Sequence, residues 1–462
     1  MVDATKDTLS SYAYELSFSD LDDKTIHQVK RTLLDSIGCL IGGFNSKTAI
    51  IARKVAPKVT ESPTSSIIGT TNNTSIDIAA FANAISIRYL DFNDSYFTPG
   101  GGHPSDMISA SLAAGEYCRS SGKNIITSIA LAYQVFCSIS DVAPMLGGRE
   151  WDQGLCVGMG AALSSGKLLS LSQEELGHSL SISIVPNLPL LATRVGELSL
   201  WKGCATAYAT KAGVFASILA KEGMEGPYEP FEGKNGLWEK LNVDTGKPGI
   251  INITSAISSQ FEPFGITRTD FKFFPAQILT QAPTGLALEI EKLIDINEIK
   301  SIVIETYSNC VSTPESHPEK WDPKTRESAD HSIPFMVASA FLYGDIGINS
   351  FTDEKITSQK IRDIISKLTI IENSSFTNKR PEESNCKMIV ELINGKIITK
   401  ETSYPKGHSQ NPLTDDQLEN KFTNLAETMI SKQHAKTISS LIWDLENQKN
   451  ITALLDALII ER

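Results

Sequence analysis

The chain has 462 residues, of which 41% are hydrophobic and 21% are charged, and its formal net charge is −12. This length exceeds a comfortable single hydrophobic core, so we expect two domains, and the composition is typical of a soluble globular protein. The acidic balance argues against general binding to nucleic acid or to an anionic membrane surface, because both need a basic surface.

The cysteines and the N-terminal residues indicate an intracellular, cytoplasmic protein. Seven cysteines are scattered without a Cys-x-x-Cys pair, which favours reduced thiols and offers no ligand spacing for an iron–sulfur cluster. The first residues have neither a basic segment nor an apolar segment of a signal peptide. The longest apolar stretch, 125–146, is interrupted by polar residues and by Pro144, so it predicts a buried helix and not a membrane span.

The first 240 residues or so predict a series of helices that are rich in Ala, Gly and Ser. Apolar residues recur at helical spacing. They give each predicted helix a wide apolar face, which is typical of helices in the core of a large bundle. The predicted helices are Ile26–Ile41, Ile76–Leu90, Asp106–Tyr117, Ile125–Ser140, Gly158–Leu169, Gln173–Ile184 and Trp201–Gly223.

The pattern changes after about residue 261, where β-branched segments alternate with helical ones. Asn394-Gly395 between two such segments is a strong hairpin signal. The predicted strands are Ile299–Thr306, Lys367–Glu372, Lys387–Ile393 and Lys396–Lys400. The predicted helices are Thr284–Ile294, Ile333–Tyr343 and Ser358–Lys367, then Thr414–Met429, Thr437–Asn447 and Ile451–Leu458.

These segments predict a mostly α protein with an inserted α+β domain. A large helical domain would be built from both chain ends, 1–265 and 401–462, and the α+β domain would span 266–400. We detect no internal repeat and no low-complexity linker in the sequence.

The segment 89–106 combines acids, a hydroxyl and an imidazole around a glycine-rich turn. Asp91, Asp94 and Ser95 precede Pro-Gly-Gly-Gly, and His103 follows it before a proline. Such groups, brought together by a loop, suit proton transfer. A helix cap followed by a polar turn would use the same residue types.

Two lysines are candidates for binding anions. Lys202 opens a helix of small residues, where a cation and free backbone N–H groups suit a carboxylate, although a solvated lysine is the alternative. Lys272 lies in an aromatic run, either as a solvent-facing residue of an edge strand or as a partly desolvated anion binder.

Five segments in this order resemble the MmgE/PrpD family, which includes 2-methylcitrate dehydratase, cis-aconitate decarboxylase and iminodisuccinate epimerase. The resemblance runs along nearly the whole chain. The segments are Leu-Asp-Phe-Asn-Asp-Ser with His-Pro-Ser (90–105), Gly-Glu-Leu-Ser-Leu-Trp-Lys-Gly-Cys-Ala (196–205), Phe-Lys-Phe-Phe-Pro-Ala-Gln (271–277), Ala-Asp-His-Ser-Ile-Pro-Phe (329–335) and Tyr-Pro-Lys-Gly-His (404–408).

The resemblance implies a helical domain with an α+β lid, a homodimer formed through the helical domain, and an active site. Lys202 and Lys272 would hold carboxylates of the substrate from two domains. His103 would transfer a proton, Asp91 would orient it or act as a base, and Ser95 would hold a further carboxylate. Asp94 would contact the substrate or stabilise the loop.

Other charged residues are secondary candidates. His331 would begin a lid helix with Asp330 as its N-cap and would supply a second acid or base, and Arg194 would add positive charge. We expect a structural role for His408 and find no supporting neighbours for His317. No metal-ligand spacing, P-loop or dinucleotide fingerprint is present, so no cofactor is expected.

Together with these residues, the resemblance implies a cofactor-independent lyase that dehydrates 2-methylcitrate or a similar hydroxytricarboxylate. Decarboxylase-like relatives have histidines after the Phe-Pro-Ala segment, whereas this chain has Gln277 and Gln281, which favours the dehydratases. One alternative is decarboxylation of cis-aconitate or epimerisation of a diacid within the same family. Another is a binding or scaffold protein without catalysis.

Overall fold

The computed structural model describes residues 3–96, 101–142, 151–196, 198–241, 264–316 and 318–460. The protein is mostly α-helical, as predicted. In chain order the helices of the first part are α1 Ala4–Glu15, α2 Asp23–Gly43, α3 Lys47–Val55, α4 Ile76–Arg88, α5 Ile108–Tyr117, α6 Gly122–Val142, α7 Gly154–Leu168, α8 Gln173–Ile184, α9 Ala205–Lys221 and α10 Leu237–Lys240.

Seven predicted helices of this part are confirmed as α2 and α4 to α9, with ends that differ by a few residues. Between them lies a short antiparallel pair of strands, β1 Ser65–Ser66 and β2 Asn73–Thr74. The helices pack closely because small residues face one another. A Cβ added to Gly213 of α9 would lie 2.3 Å from the carbonyl oxygen of Gly158 in α7, so a larger side chain would force these helices apart.

Helix α6 is long and apolar enough to cross a membrane by length and composition alone. However, 89% of its most apolar window is buried inside the protein, so it is a core helix, as predicted up to Val142. The continuation of this apolar stretch over 143–146 lies outside the described residues.

The part after residue 264 contains a mixed sheet with the strand order β4-β3-β5-β6. Its strands are β3 Ile299–Thr306, β4 Leu368–Glu372, β5 Cys386–Leu392 and β6 Ile397–Thr402. Strand β3 pairs in parallel with β4 and antiparallel with β5, which pairs antiparallel with β6. Gly395 has φ 83° in the turn between β5 and β6, which confirms the hairpin predicted at Asn394-Gly395.

Helices of this part cover the sheet and fill the spaces beside it, and three more helices follow the last strand. They are α11 Gln281–Glu291, α12 Ser308–Ser316, α13 Arg326–Ala329, α14 Ile333–Tyr343, α15 Asp353–Ile356, α16 Gln359–Ile365, α17 Ser374–Thr377, α18 Asp415–Ala426, α19 Lys432–Trp443 and α20 Thr452–Ala457.

The buried apolar residues form two large clusters. The first joins residues between 9 and 271 to residues between 413 and 458, so the C-terminal helices share a core with the N-terminal ones. The second contains residues between 274 and 392. The functional candidates lie where the elements that surround these two cores meet.

Candidate active site

Asp91 lies at the centre of the site, just beyond the end of α4. Helix α4 ends at Arg88, and Asp91 adopts φ 50°, a left-handed conformation that Asp tolerates better than most residues. This conformation turns the chain sharply and places the Asp91 carboxylate in the interior, where it is 1% exposed. Non-glycine residues in this conformation cluster at functional sites.

Three cations surround the Asp91 carboxylate. Oδ1 of Asp91 lies 2.5 Å from Nη1 of Arg88 and 2.6 Å from Nζ of Lys272, and Oδ2 lies 3.3 Å from Nζ of Lys202. Burial alone would raise the pKa of Asp91, but the charges of Arg88, Lys202 and Lys272 outweigh burial and hold this pKa well below its usual value. Asp91 is therefore ionised at neutral pH.

Lys272 is fully buried, and its ammonium also donates to the backbone carbonyl of Asp91 at 2.8 Å. Burial lowers the pKa of Lys272 to about 8, against the opposing charge of Asp91. The solvent-facing position that was one alternative for Lys272 is therefore wrong. Lys202 is buried as well and lies in a turn of 3-10 helix, Leu200–Gly203, just before α9.

His103 lies on one side of Asp91, with Nε2 3.9 Å from Oδ1. Its Nδ1 is 2.7 Å from the backbone carbonyl oxygen of Asp94 and 3.2 Å from Oγ of Ser95. A carbonyl only accepts hydrogen bonds, so Nδ1 carries the proton and Nε2 has the free lone pair. Burial, together with the charges of Arg88 and Lys272, lowers the pKa of His103 well below its usual value, so the ring is neutral.

His331 approaches Asp91 from the other side, with Nε2 3.5 Å from Oδ2. Its Nδ1 lies 2.5 Å from Oδ1 of Asp330 and 3.2 Å from Nζ of Lys202. Burial and the charge of Lys202 lower the pKa of His331 to about 4. The prediction of Asp330 as an N-cap is wrong: Ser332 caps α14, which begins at Ile333, and this frees the Asp330 carboxylate to bind His331 and Lys202.

A cavity of about 230 Å³ opens beside these groups. One part of its wall is polar and cationic, and another part is apolar. Its lining residues are Arg88, Ser95, Gly101, Gly102, His103, Asp152, Gln153, Leu191, Arg194, Leu198, Gln277, Ile278 and His331.

Except for Asp94, the predicted site residues occupy two positions, the cavity wall and a layer behind it. His103, His331, Ser95 and Arg194 line the cavity, whereas Asp91, Lys202 and Lys272 form a layer behind it. Arg194 binds Asp152 with Nε at 2.7 Å and donates to the carbonyl of Lys202 at 2.7 Å.

Asp94 points away from the cavity into the helical core. Its carboxylate accepts hydrogen bonds from the backbone N–H of Ser105 at 3.1 Å and from the Tyr133 hydroxyl at 2.7 Å. Burial raises the pKa of Asp94 to about 7, although these two hydrogen bonds act in the opposite direction. Of the two roles considered for Asp94, this geometry favours stabilisation of the loop.

Sequence reasoning missed two residues of the site. Arg88 is the closest cation to Asp91, and its position three residues earlier at the end of a helix was the available signal. Gln153 accepts a hydrogen bond from the backbone N–H of His103 at 2.5 Å. No signal in the sequence connected Gln153 with His103, because fifty residues separate them.

The two glutamines that follow the Phe-Pro-Ala segment have different surroundings. Gln277 lines the cavity, whereas the amide of Gln281 is used within the backbone turn that precedes it. Oε1 of Gln281 accepts from the N–H groups of Phe273 and Phe274, and Nε2 donates to the carbonyls of Phe274 and Ala276. Gln281 therefore shapes the segment that carries Lys272.

The remaining histidine predictions concern 408 and 317. Nδ1 of His408 accepts the N–H of Gln410 within a turn, and burial lowers the pKa of His408 to about 4. Position 317 lies outside the described residues.

One group of potential metal ligands occurs in the described part of the chain. An oxygen of Asp91, an oxygen of Asp330 and a ring nitrogen of His331 lie within 4.8 Å of one another. The Lys202 ammonium already binds all three residues, at 3.3, 3.0 and 3.2 Å. A metal ion there would meet this positive charge, so the donor set fits a lysine and not a metal.

Fold and site together define a mostly helical protein with a buried carboxylate, a ring of cations and two neutral imidazoles beside a small cavity. These groups can bind an anion and move a proton. Residues 7–246 match the MmgE/PrpD N-terminal domain, and residues 274–447 match the MmgE/PrpD C-terminal domain. The chain belongs to the MmgE/PrpD family.

Individual relatives are distant but align over most of their length. A cis-aconitate decarboxylase-like protein of Aspergillus oryzae is 22% identical over 97% of this chain and 95% of its own. Human cis-aconitate decarboxylase is 23% identical over 98% of this chain and 94% of its own. The 2-methylcitrate dehydratase of Salmonella typhi is 23% identical over 83% of this chain and 82% of its own.

Proposed function

We propose that this protein is a cofactor-independent lyase that removes water from 2-methylcitrate, or a similar hydroxytricarboxylate, to give the cis-aconitate-type alkene. The observation that carries this proposal is the pair of neutral histidines, His103 and His331, on the two sides of the ionised Asp91 beside a cavity. Relatives named as dehydratases and decarboxylases of such acids support it.

The cations bind the carboxylates of the substrate and stabilise the charge that develops on them. Arg194 and Arg88 reach the cavity wall, and Lys202 and Lys272 add positive charge from the layer behind it. Ser95 fixes a further carboxylate through its hydroxyl. Charge that develops when the C–H bond breaks is then stabilised in a buried, low-dielectric setting, where such interactions are strongest.

His103 acts as the general base. Its Nε2 lone pair is free because Nδ1–H is held by the carbonyl of Asp94. Nε2 takes the proton from the carbon next to a carboxylate, the C–H electrons form the C=C bond, and the C–O bond breaks at the neighbouring carbon. The negative substrate raises the pKa of His331 from about 4, and His331 in its protonated form delivers a proton to the departing hydroxyl, which leaves as water.

The apolar part of the cavity wall favours 2-methylcitrate over citrate as the substrate. Leu191, Leu198 and Ile278 line the cavity together with the charged residues. A methyl group on the substrate would bury apolar surface against them, whereas citrate offers only hydrogen there.

The test uses purified, EDTA-treated protein with 2-methylcitrate, citrate and cis-aconitate, and follows alkene absorbance and CO2 together. Alkene formed from 2-methylcitrate without CO2 supports the dehydratase, and a His103→Ala variant controls for contaminating activity. CO2 from cis-aconitate would assign the protein to the decarboxylases instead. If none of the three acids reacted, the remaining alternatives would be epimerisation of a diacid and a non-catalytic role.

The segment 266–400 is proposed to act as a lid over the helical part, 1–265 and 401–462. Its support is the separate apolar core between 274 and 392, together with the origin of the site residues. Lys272 and His331 come from the proposed lid, and Asp91, His103 and Lys202 come from the helical part. Closure would therefore assemble the catalytic groups around the substrate and exclude water.

A homodimer through the helical domain is proposed as well. Tyr208 and Phe215 lie seven residues apart on the exposed face of α9, Trp201 lies in the 3-10 turn just before this helix, and each of the three is about half exposed. Large aromatic side chains in a row on a helix surface are typical of protein interfaces. The proposed compartment is the cytoplasm, supported by the seven cysteines, which are all unpaired.

A further inference from the structure

Lys421, in the C-terminal helix α18, lies directly behind the catalytic layer. Its ammonium donates to the backbone carbonyl of Phe92 at 2.8 Å and to the backbone carbonyl of Lys272 at 2.9 Å. Phe92 follows Asp91 in the chain, so one ammonium contacts the two segments that carry Asp91 and Lys272.

The charge of Lys421 is balanced by Asp35 of helix α2. Nζ of Lys421 lies 2.7 Å from Oδ1 of Asp35, and both side chains are buried. The same ammonium lies 3.8 Å from the centre of the Phe92 ring. Lys421 thus joins four parts of the chain: α2, the loop after α4, the segment before α11, and α18.

The two catalytic segments have few other direct links. Ser95 and Asp270 exchange backbone hydrogen bonds at 2.8 and 2.7 Å, and the Lys272 ammonium reaches the Asp91 carboxylate and carbonyl. Without Lys421 the carbonyls of Phe92 and Lys272 would have no shared donor among the hydrogen bonds of the described residues. The distance between Lys272 and Asp91 would then depend on the Ser95–Asp270 backbone pair and on the Lys272 side chain itself.

We propose that Lys421 is a positioning residue, balanced by Asp35, that sets the distance between Asp91 and Lys272 and thereby the turnover rate. The inference rests on the proposed function in taking Asp91 and Lys272 as parts of the working site. Lys421 does not line the cavity, and it acts through the backbone of the two residues that it holds. A shift of about 1 Å in such an arrangement can lower the rate about 100-fold.

The experiment separates this positioning role from a contribution to stability. Lys421→Met leaves the Asp35 carboxylate buried without its cation, so this variant loses both stability and activity. The double variant Asp35→Asn/Lys421→Met removes both charges and restores thermal stability towards that of the wild type. Its kcat stays about 10- to 100-fold low with 2-methylcitrate, and its KM changes less.

Lys30→Met is the matched control. Like Asp35, Lys30 lies in α2, and its ammonium reaches Glu446 at 2.7 Å and the carbonyl of Trp443 at 3.1 Å, away from Asp91. This variant should lose stability without a change in kcat. A double variant with the kcat of the wild type, or an equal loss of kcat in Lys30→Met, would overturn the proposal.

Crystal structures give a readout that does not depend on turnover. In the double variant the distance of 2.6 Å between Nζ of Lys272 and Oδ1 of Asp91 should lengthen, and in Lys30→Met it should not. An unchanged distance in the double variant contradicts the positioning role. If the wild-type enzyme converted none of the acids tested, the proposed reaction would fail, and this comparison would still decide the role of Lys421.

Discussion

The ammonium of Lys272 lies 2.6 Å from the carboxylate of Asp91, although 181 residues separate the two in the sequence. Each residue changes the ionisation of the other: Lys272 helps to keep Asp91 ionised, and Asp91 opposes the loss of the Lys272 proton caused by burial. The ionisation states of Lys272 and Asp91 therefore depend on each other, and a substitution of one residue also changes the pKa of the other.

Removal of the His103 imidazole should lower turnover without unfolding the protein. We expect His103→Ala to reduce kcat by about 100- to 10,000-fold, the usual contribution of a general base. His434→Ala is the control, because its ring also bonds a backbone carbonyl, that of Ala457 at 2.6 Å, but in the C-terminal helices. Steady-state kinetics and circular dichroism of both variants check this, and an active His103→Ala enzyme would refute the assignment.

Asp91 and Asp94 should differ sharply although both are buried carboxylic acids. Asp91→Asn removes the charge that three cations share and should lower kcat at least about 100-fold. Asp94→Asn should keep kcat and KM near the wild-type values, because Asp94 faces Ser105 and Tyr133. Equal losses in the two variants would place Asp94 in the chemistry.

Asp94 should also make stability depend on pH. Because burial raises its pKa to about 7, the folded protein keeps a proton between about pH 4 and 7 that the unfolded chain has released. The stabilisation is complete below the pKa of the unfolded chain and is lost as pH rises through about 7, by about 1.4 kcal/mol per pH unit. Thermal unfolding from pH 5 to 8 should show a shallower decline for Asp94→Asn than for the wild type.

The pH profile of activity should report Lys272. Loss of its proton near pH 8 removes a charge that stabilises the transition state, so kcat/KM should fall on the alkaline side with an apparent pKa of about 8. Bound substrate carboxylates favour the charged lysine, so the corresponding fall in kcat should come at higher pH. Lys272→Arg should remove this alkaline fall, since a guanidinium stays charged, and an unchanged profile would assign it to another group.

The packing of Gly102 against Gln153 should be sensitive to a single methyl group. A Cβ at Gly102 would lie 2.0 Å from Oε1 of Gln153, the atom that accepts the N–H of His103. Gly102→Ala should therefore lower kcat/KM by displacing the loop of His103. Gly285→Ala is the control, since an added Cβ meets nothing within 4 Å in helix α11, and the change should leave activity unaltered and stabilise the helix by up to about 1 kcal/mol.

The proposed dimer can be tested on the aromatic face of α9. Tyr208→Glu/Phe215→Glu places two charges on this face and should yield monomers in sedimentation experiments. Ile393→Glu/Ile397→Glu alters apolar residues of the β5–β6 hairpin that are more exposed than Tyr208 and Phe215, and this change should leave the association state unchanged. If both variants sedimented like the wild type, another surface would form the contact.

The sequence predicted most of the regular structure, because helical periodicity and the Asn394-Gly395 turn are local signals. The predictions missed several elements: helices α1, α3 and α12, the four-residue helices α10, α13, α15 and α17, and the two-residue strands β1 and β2. Helices and strands as short as four and two residues leave no periodic pattern. In the site, the residue types of His103, Lys202 and Lys272 were informative. That both lysines would bind Asp91, and that Gln153 would hold His103, depends on contacts between distant segments, which a single sequence does not encode locally. Arg88 is different, because it lies only three residues before Asp91 and offered a local signal that was missed.

The helical core is closed by residues between 413 and 458, which the ribosome makes after the whole α+β segment. Until then the surface of α2 that carries Asp35 has no partner from α18, and the carbonyls behind Asp91 and Lys272 have no ammonium between them. A nascent chain that stalls before α18 therefore has all the catalytic side chains but an incomplete site and an uncovered apolar surface. The site can therefore be complete only after α18 has been made, and a chain cut before α18 should lack the support behind Asp91 and Lys272.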